Sequence, residues 1–545
     1  MLKIGTSQGV PFGLTERDLE THLHIMGSTG GGKSWLLMYL ASQLMRQPEQ
    51  PSLFVLDPHG DLYRKLRAHC AQISRRIPSF ANRVVVIDPA CETYPLRYNP
   101  MQSFGNSAFS AALGMEACQK AWQDEAMQVK PRIARWLFNA LYVAGELGLS
   151  LSDVHTLLDP TRGAEREHTL ARLPESFIKD EMRQFHARKP RDLEELTEGP
   201  LNRLGKFLAD YRLAHTFSQT TNTLEVGTLM ARGSIVLVNL EPYRSHFTEE
   251  QMRMFGTLLV NNIVQAAFSR PEHKRHPCYL MIDEFSRFST RDIPYILEGG
   301  RKYNLRLILA HQQLEQLMRE DERVYASVMA NAKAKVVFGD LPMDDARTLA
   351  MEYGRFDPYL VKDEIYRTYF HPYEETRVVS GRSEASSTAQ SFGKMLSEGA
   401  MYQPGGVFFD GDVIATSTGT SSGNHSSSGF SESISEAVVP FYRLEERQEL
   451  SSRTFMSIDE QQYLAAWALK NQPQQHCAVR TPRGEMKHVR VYDLKEPRAS
   501  VQEMRRLLKT CFTSHDFFDS VEERVETQPA LVAVAEEEFD PYAPI

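Results

Sequence analysis

Residues 27–34 read GSTGGGKS, and within them Gly27, Gly32, Lys33 and Ser34 fall on the spacing G-x-x-x-x-G-K-S. That spacing suits phosphate: glycines let successive N–H groups fold around phosphate oxygens, a lysine reaches the terminal phosphates, and a hydroxyl can ligate Mg²⁺. Ser28, Thr29, Gly30 and Gly31 complete the loop and are expected to line the same cradle. ATP with Mg²⁺ is the ligand this implies, and the N-terminus of the following helix adds its dipole to the attraction.

Binding phosphate is not hydrolysing it, which needs carboxylates. YLMIDEF (279–285) is an apolar run closed by two acids. In that arrangement Asp283 orients the metal through water and Glu284 acts as general base on the attacking water. A helix N-cap or a turn would use the same acids, so the reading rests on the pairing with the cradle. Leu305–Ala310 is a further apolar run, followed by Gln312 and Gln313. Of these, Gln312 is the choice for an amide that senses the γ-phosphate or holds the lytic water, against a solvated strand end. Arg301, just ahead of that run, is either a finger reaching a neighbour's nucleotide or an exposed arginine. In DPHGD (57–61), Asp57, His59 and Asp61 read as a sharp turn rather than a metal site, with Asp57 placed to face the nucleotide. His24 reads as a packed strand residue, and Arg188, Lys189 and Arg191 as a solvated face.

The elements that must carry these residues alternate. Strands are expected at His22–Met26, Leu53–Leu56, Val84–Ile87, Ile235–Leu240, Tyr279–Ile282, Arg306–Ala310 and Lys335–Phe338. Helices are expected at Ser34–Met45 and Glu249–Phe268. Such alternation predicts an α/β fold, a mostly parallel sheet with helices on both faces. Residues 109–229 show helical periodicity and no strands, an all-α domain inserted into the sheet. The expected order is therefore 1–108, the first half of the P-loop α/β domain; 109–229, the all-α insertion; and 230–375, the second half. Then follow 376–440, a Ser/Gly-rich linker or extended loop; 441–510, a small C-terminal segment with a helix at Asp459–Leu469; and 511–545, an acidic tail, solvated or used for docking.

Composition bounds the rest. With 42% hydrophobic and 24% charged residues over 545 positions, the chain can bury several cores unaided. A formal charge of −8 excludes a protein that coats nucleic acid through bulk charge, but leaves room for local basic loops. Six scattered cysteines without a C-x-x-C pair point to a reducing compartment and no zinc. Neither a signal-peptide core nor an apolar run long enough for a bilayer is present, so a cytoplasmic protein with no intrinsic membrane span is expected.

The ordered set GSTGGGKS, VLDPHGDL, YNPM, YLMIDEFSRF, EGGRKYNLRLILAHQQ and NAKAKVVFGDLPMDDARTLA resembles the HerA/FtsK superfamily of hexameric DNA-pumping ATPases, and within it the coupling-protein branch of type IV secretion and conjugation. The resemblance covers roughly residues 20–115 and 230–360. It implies a RecA-like P-loop core with the 109–229 insertion as its all-α domain. It implies Lys33 and Ser34 as nucleotide and Mg²⁺ contacts, Asp283 and Glu284 as catalytic acids, Arg301 as the interfacial arginine and Gln312 as the sensor. It also implies a homo-hexameric ring around DNA whose sites form between neighbours. Coupling proteins carry an N-terminal membrane anchor and archaeal HerA a β-barrel before the cradle; with Gly27 so early, neither is expected. Three functions follow: a coupling-protein-like DNA translocase that docks a relaxase or accessory protein, a HerA-like motor serving a nuclease or effector in repair or antiphage defence, and an ATP-gated assembly platform.

Overall fold

The computed structural model describes residues 1–101, 106–122, 131–221, 223–288, 293–320, 322–380 and 436–519. The chain divides into two compact units, one of residues 1–345 with 469 onward, the other of residues 346–468.

The first unit is built on one eleven-stranded sheet. Its centre is parallel: β3 (Leu23–Met26) lies between β8 (Leu305–His311) and β9 (Ala334–Phe338), and beyond β8 come β7 (Cys278–Ile282), β4 (Ser52–Asp57), β6 (Ile235–Asn239) and β5 (Val84–Ile87). These are short runs of Val, Ile and Leu with no polar alternation, as expected of strands covered on both faces. Every residue of β4, β6, β7 and β8 is buried, and each large aliphatic side chain so removed from water contributes roughly 1.5–3 kcal/mol. All seven strands expected from the sequence are present, and the fold is the α/β, RecA-like one. Helices α2 (Lys33–Leu44), α3 (Asp61–Arg76) and α12 (Glu249–Ser269) connect and cover them.

Between β5 and β6 the described chain is helical, from α4 (Ser107–Trp122) and α5 (Pro131–Leu147) to α10 (Tyr211–Phe217) and α11 (Val226–Ala231). An aromatic cluster fastens these helices to α12, with Phe217 at 4.9 Å from Phe207, 5.5 Å from Tyr98 and 5.5 Å from Phe255.

Two departures from expectation concern the chain ends. β1 (Leu2–Ser7) and β2 (Val10–Leu14) pair through a two-residue turn at Gln8 (φ 50°) and Gly9 (φ 78°), the doubly left-handed geometry that matches strand twist. The segment after residue 470 is not separate either. β12 (His476–Arg480) pairs antiparallel with β9, β13 (Met486–Val491) with β12, and β1 with β13, so both chain ends extend the parallel sheet.

Cys511–Asp519, assigned from composition to the acidic tail, is docked. The last helix among the described residues, α18 (Val501–Thr513), packs on α3 and β5, and Val86 N–H on the edge strand donates to Cys511 Sγ at 3.2 Å. Phe512 stacks on Tyr94 at 4.5 Å, and Asp519 pairs with Arg97 and with His215 Nε2 at 2.6 Å. Three phenylalanines within eight residues outweigh the acids around them. The remainder of that tail, 520–545, lies outside the described residues.

The second unit holds an antiparallel ribbon of β10 (Val361–Ser380) and β11 (Glu436–Phe455), registered from Val361 opposite Phe455 to Ser380 opposite Glu436. Residues 376–380 and 436–440, expected as linker, are strand because each backbone finds its partner across the ribbon. Residues 381–435 of that linker lie outside the described residues. Helix α16 (Met343–Tyr353) leads into this unit and α17 (Ile458–Lys470) leads out of it.

Candidate functional site

β3, β8, β7 and β4 are neighbours in that order, and their C-terminal ends carry the loop 27–32, Gln312, Asp283 with Glu284, and Asp57. The crevice outside the carboxyl ends of parallel strands is where open α/β sheets hold ligands. Four stretches spread over nearly three hundred residues of sequence therefore meet in one place.

After Met26 the chain folds back through Gly27, Gly30 and Gly32, all at positive φ. Two of these glycines also answer to close approach. A Cβ on Gly27 would lie 2.5 Å from Phe338 Cβ, and one on Gly32, at φ 120°, would lie 3.0 Å from Phe338 Cε1. Phe338, fully buried at the end of β9, is the wall against which the loop is set. Ser34 is the second residue of α2 and exposed.

Lys33 is 7% exposed, and its Nζ donates to Gly27 O at 2.5 Å and Ser28 O at 2.9 Å. Burial draws its pKa below the usual lysine value while Asp283 and Glu284 push the other way. Thr29 Oγ1 donates to Gln312 Oε1 at 3.2 Å, Gln312 Nε2 donates to Glu284 Oε2 at 3.1 Å, and Glu284 N–H donates to Asp283 Oδ1 at 3.0 Å. This chain of contacts joins loop, amide and acids. Glu284 sits at φ 46°, a left-handed conformation that turns the backbone immediately after β7.

The acids carry uncompensated charge. Burial first, then Glu284 beside it, raises the Asp283 pKa to about 6 in spite of Lys33. Oxygen donors crowded at this cost are of the type a hard divalent cation takes. Asp57 is fully buried, with Oδ1 accepting from His59 N–H at 2.9 Å and Oδ2 from Tyr63 N–H at 2.8 Å. These two backbone contacts fold the turn into α3. Burial and Asp283 raise the Asp57 pKa to about 6.

Arg301 is elsewhere. It precedes β8, at the opposite end of that seven-residue strand from Gln312, which separates the two by about 23 Å at the usual strand rise. It is 66% exposed and its Nε pairs with Glu20 Oε2 at 3.1 Å. It does not join the cluster in its own chain.

Several residues at the site escape motif reading. Asp340 Oδ2 accepts from Ser28 Oγ at 3.1 Å; an acid closing an apolar strand is the signal that singled out Asp283, and it recurs here. Gln474 Nε2 donates to Gly30 O at 3.2 Å and Gln475 N–H to Gly31 O at 3.3 Å, contacts with no local signal at all. His311, beside Gln312, is fully buried with its Nε2 2.5 Å from His24 Nε2, so the packed strand histidine has a partner one strand away.

The family model described as "Helicase HerA, central domain" matches residues 2–263, and that described as "TraM recognition site of TraD and TraG" matches residues 277–398. Among solved structures, the bacterial conjugative coupling protein TrwBΔN70 in its unbound form is 14% identical with a TM-score of 0.52, over 91% of this chain and 90% of that one. The plasmid coupling protein TrwB in complex with ADP and Mg²⁺ is 14% identical with a TM-score of 0.51, over 92% and 91%. Likeness at that identity bears on the fold. An uncharacterized protein of Aquifex aeolicus (strain VF5), aq_aa31, is 31% identical over 51 residues, which are 9% of this chain and 19% of that one, so the chain spans about a fifth of the length of the curated relative it matches. Among the described residues no helix is long and apolar enough to cross a membrane. With two family models following one another along the chain and a fold shared with TrwB, the chain is similar to P-loop ATPases of the HerA/FtsK type, coupling proteins among them.

Proposed function

We propose that the protein is an ATPase that couples hydrolysis to the movement of DNA through a homo-hexameric ring, in the manner of a conjugative coupling protein. The observation that carries the catalytic part is the unbroken run of hydrogen bonds from Thr29 in the loop through Gln312 to Glu284 and Asp283 on neighbouring strand ends. When bound, ATP would supply the phosphoanhydride, and Mg²⁺, which Ser34 and Asp283 would hold, would supply positive charge against the phosphates. Lys33 gives up its two carbonyl partners to neutralise the terminal phosphates. Glu284 takes the proton of the attacking water, and Gln312, released from Thr29, orients that water against Glu284. Burial and Glu284 keep Asp283 under electrostatic pressure to hold a cation. Arg301, exposed and remote from its own cradle, serves the nucleotide of the next subunit, where a guanidinium stabilises charge in the transition state.

DNA in the ring, and a relaxase or accessory protein docked on the second half of the chain, are the readings supported by the match of residues 277–398 to a model named for TraM recognition. The match of residues 2–263 to the HerA central domain supports a second reading, a motor that feeds DNA to a nuclease or effector. The decisive experiment measures ATP turnover with and without single- and double-stranded DNA while particle mass is determined with ATP. Stimulation by DNA together with a six-subunit mass is expected. Turnover indifferent to DNA would leave an assembly platform in place of a translocase, and a persistent monomer would remove the ring.

A further inference from the structure

The phosphate loop is held from outside by the two segments through which the chain leaves and re-enters the first unit. On the way out, Asp340 accepts from Ser28 Oγ at 3.1 Å three residues before α16. On the way back, the loop Gln472–Gln475 directly after α17 meets Gly30 and Gly31 through Gln474 Nε2 (3.2 Å) and Gln475 N–H (3.3 Å). The two segments are tied to each other. Asp340 N–H donates to Lys470 O at 2.6 Å, and Gln472 Nε2 donates to Val337 O at 3.0 Å. A Cβ on Gly339 would lie 2.4 Å from Gln472 O, so the two backbones meet where only glycine fits.

The partners chosen matter. In a planar trans peptide the C=O of one residue and the N–H of the next point in opposite directions. Fixing the carbonyls of Gly30 and Gly31 outward therefore turns the N–H groups of Gly31 and Gly32 inward, across the loop, where Gly31 N–H already reaches Ser28 O at 3.3 Å. Inward N–H groups are what phosphate oxygens bind. Asp340 (φ 59°) and Gln475 (φ 63°) both adopt the left-handed conformation, an unfavourable one for glutamine that persists only where surrounding contacts over-determine it.

We infer that Asp340 and Gln472–Gln475 form a strap of positioning residues that preorganises the phosphate loop and ties its occupancy to the two segments from which residues 346–468 spring. A shift of either segment is then felt at the cradle, and nucleotide binding is felt at both segments. The inference rests on the nucleotide reading of the loop, and two arms of the test keep their fates apart.

The first arm is hydrogen exchange of peptides covering residues 27–36 in the nucleotide-free full chain. Gln474→Ala and Gln474→Glu, the latter isosteric but placing an acceptor against Gly30 O, should both exchange faster there, and Gln474→Glu more so. The second arm is equilibrium binding of a fluorescent ATP analogue with Mg²⁺. Each single variant should bind two- to tenfold more weakly, the range one lost hydrogen bond of this kind commands, and Gln474→Ala with Asp340→Ala more weakly than either. In turnover the loss should fall on KM rather than kcat. Gln474 is exposed, so the variants should melt with the wild type, and a melting scan checks it. Wild-type exchange in both Gln474 variants overturns the strap whatever the loop binds. A wild-type chain that does not bind the analogue overturns the nucleotide reading and leaves the first arm to judge the strap.

Discussion

Asp283→Asn should stabilise the nucleotide-free protein while disabling it. In the folded chain the Asp283 pKa is raised from the ordinary 3.8 to about 6, by burial and by Glu284. A group with a raised carboxyl pKa is protonated more readily folded than unfolded, so between about pH 4 and pH 6 the native state binds the extra proton and stability falls as pH rises. Above about pH 6 the penalty is complete and flat. Its size is about 3 kcal/mol, at roughly 1.4 kcal/mol for each tenfold change in proton affinity. The asparagine keeps the Oδ1 that accepts Glu284 N–H and carries no charge, and it also relieves Asp57, whose own pKa is raised in part by Asp283. At pH 7.5 without divalent cation the variant should melt up to about 3 °C above wild type, given the unfolding entropy of a chain this long. At pH 4.5 the gap should shrink toward zero. Addition of Mg²⁺ and ATP should reverse the order, because only the wild type recovers its electrostatic cost through the cation. Scanning calorimetry at the two pH values decides it: a variant that melts no higher than wild type at pH 7.5, or a gap that persists at pH 4.5, refutes the reasoning.

Glu284→Gln should lower kcat about 10²- to 10⁴-fold, the usual contribution of a general base, and retain bound ATP on rapid filtration; undiminished turnover removes Glu284 from that role. Lys33→Ala, which deletes the ammonium now shared by Gly27 O and Ser28 O, should abolish nucleotide binding in isothermal titration, and an unchanged affinity would mean that the loop holds something else. Arg301→Ala and Glu284→Gln should each be inactive alone but partly active when mixed before assembly, because a mixed ring contains sites with an intact base from one subunit and an intact arginine from the next. Absence of recovery in verified mixed rings counts against Arg301 acting across the interface.

The parts of the site that can be read from sequence are those written locally. Gly27 to Ser34 is a spacing, and Asp283 with Glu284 and Gln312 are polar groups that close apolar runs, so each is visible within a dozen residues and each strand is found where its run predicts it. What escapes is written at long range or against composition. Asp57 also folds the turn into α3, each of its oxygens accepting a backbone amide, two and six residues on, which a strand-end pattern does not reveal. Cys511–Asp519 lies in acid-rich sequence, and the buried Phe512, Phe517 and Phe518 decide its fate.

The C-terminal chain makes the sharper case. Its strap meets the phosphate loop across more than four hundred residues, through glutamines that carry no periodicity and no charge. A sheet bounded by the strands expected from sequence would stop at Phe338, the end of β9. The sheet does not stop there: β12 pairs with β9 from Cys477 opposite Phe338 to Arg480 opposite Lys335, directly flanking the strand whose Phe338 supports Gly27 and Gly32. Because Gln472–Gln475 enters β12 without a break, the residues that complete the sheet also position the loop. The phosphate cradle therefore rests on a chain that has first passed through residues 346–468, and the hydrogen bonds of Gln474 and Gln475 join the end of that excursion to Gly30 and Gly31.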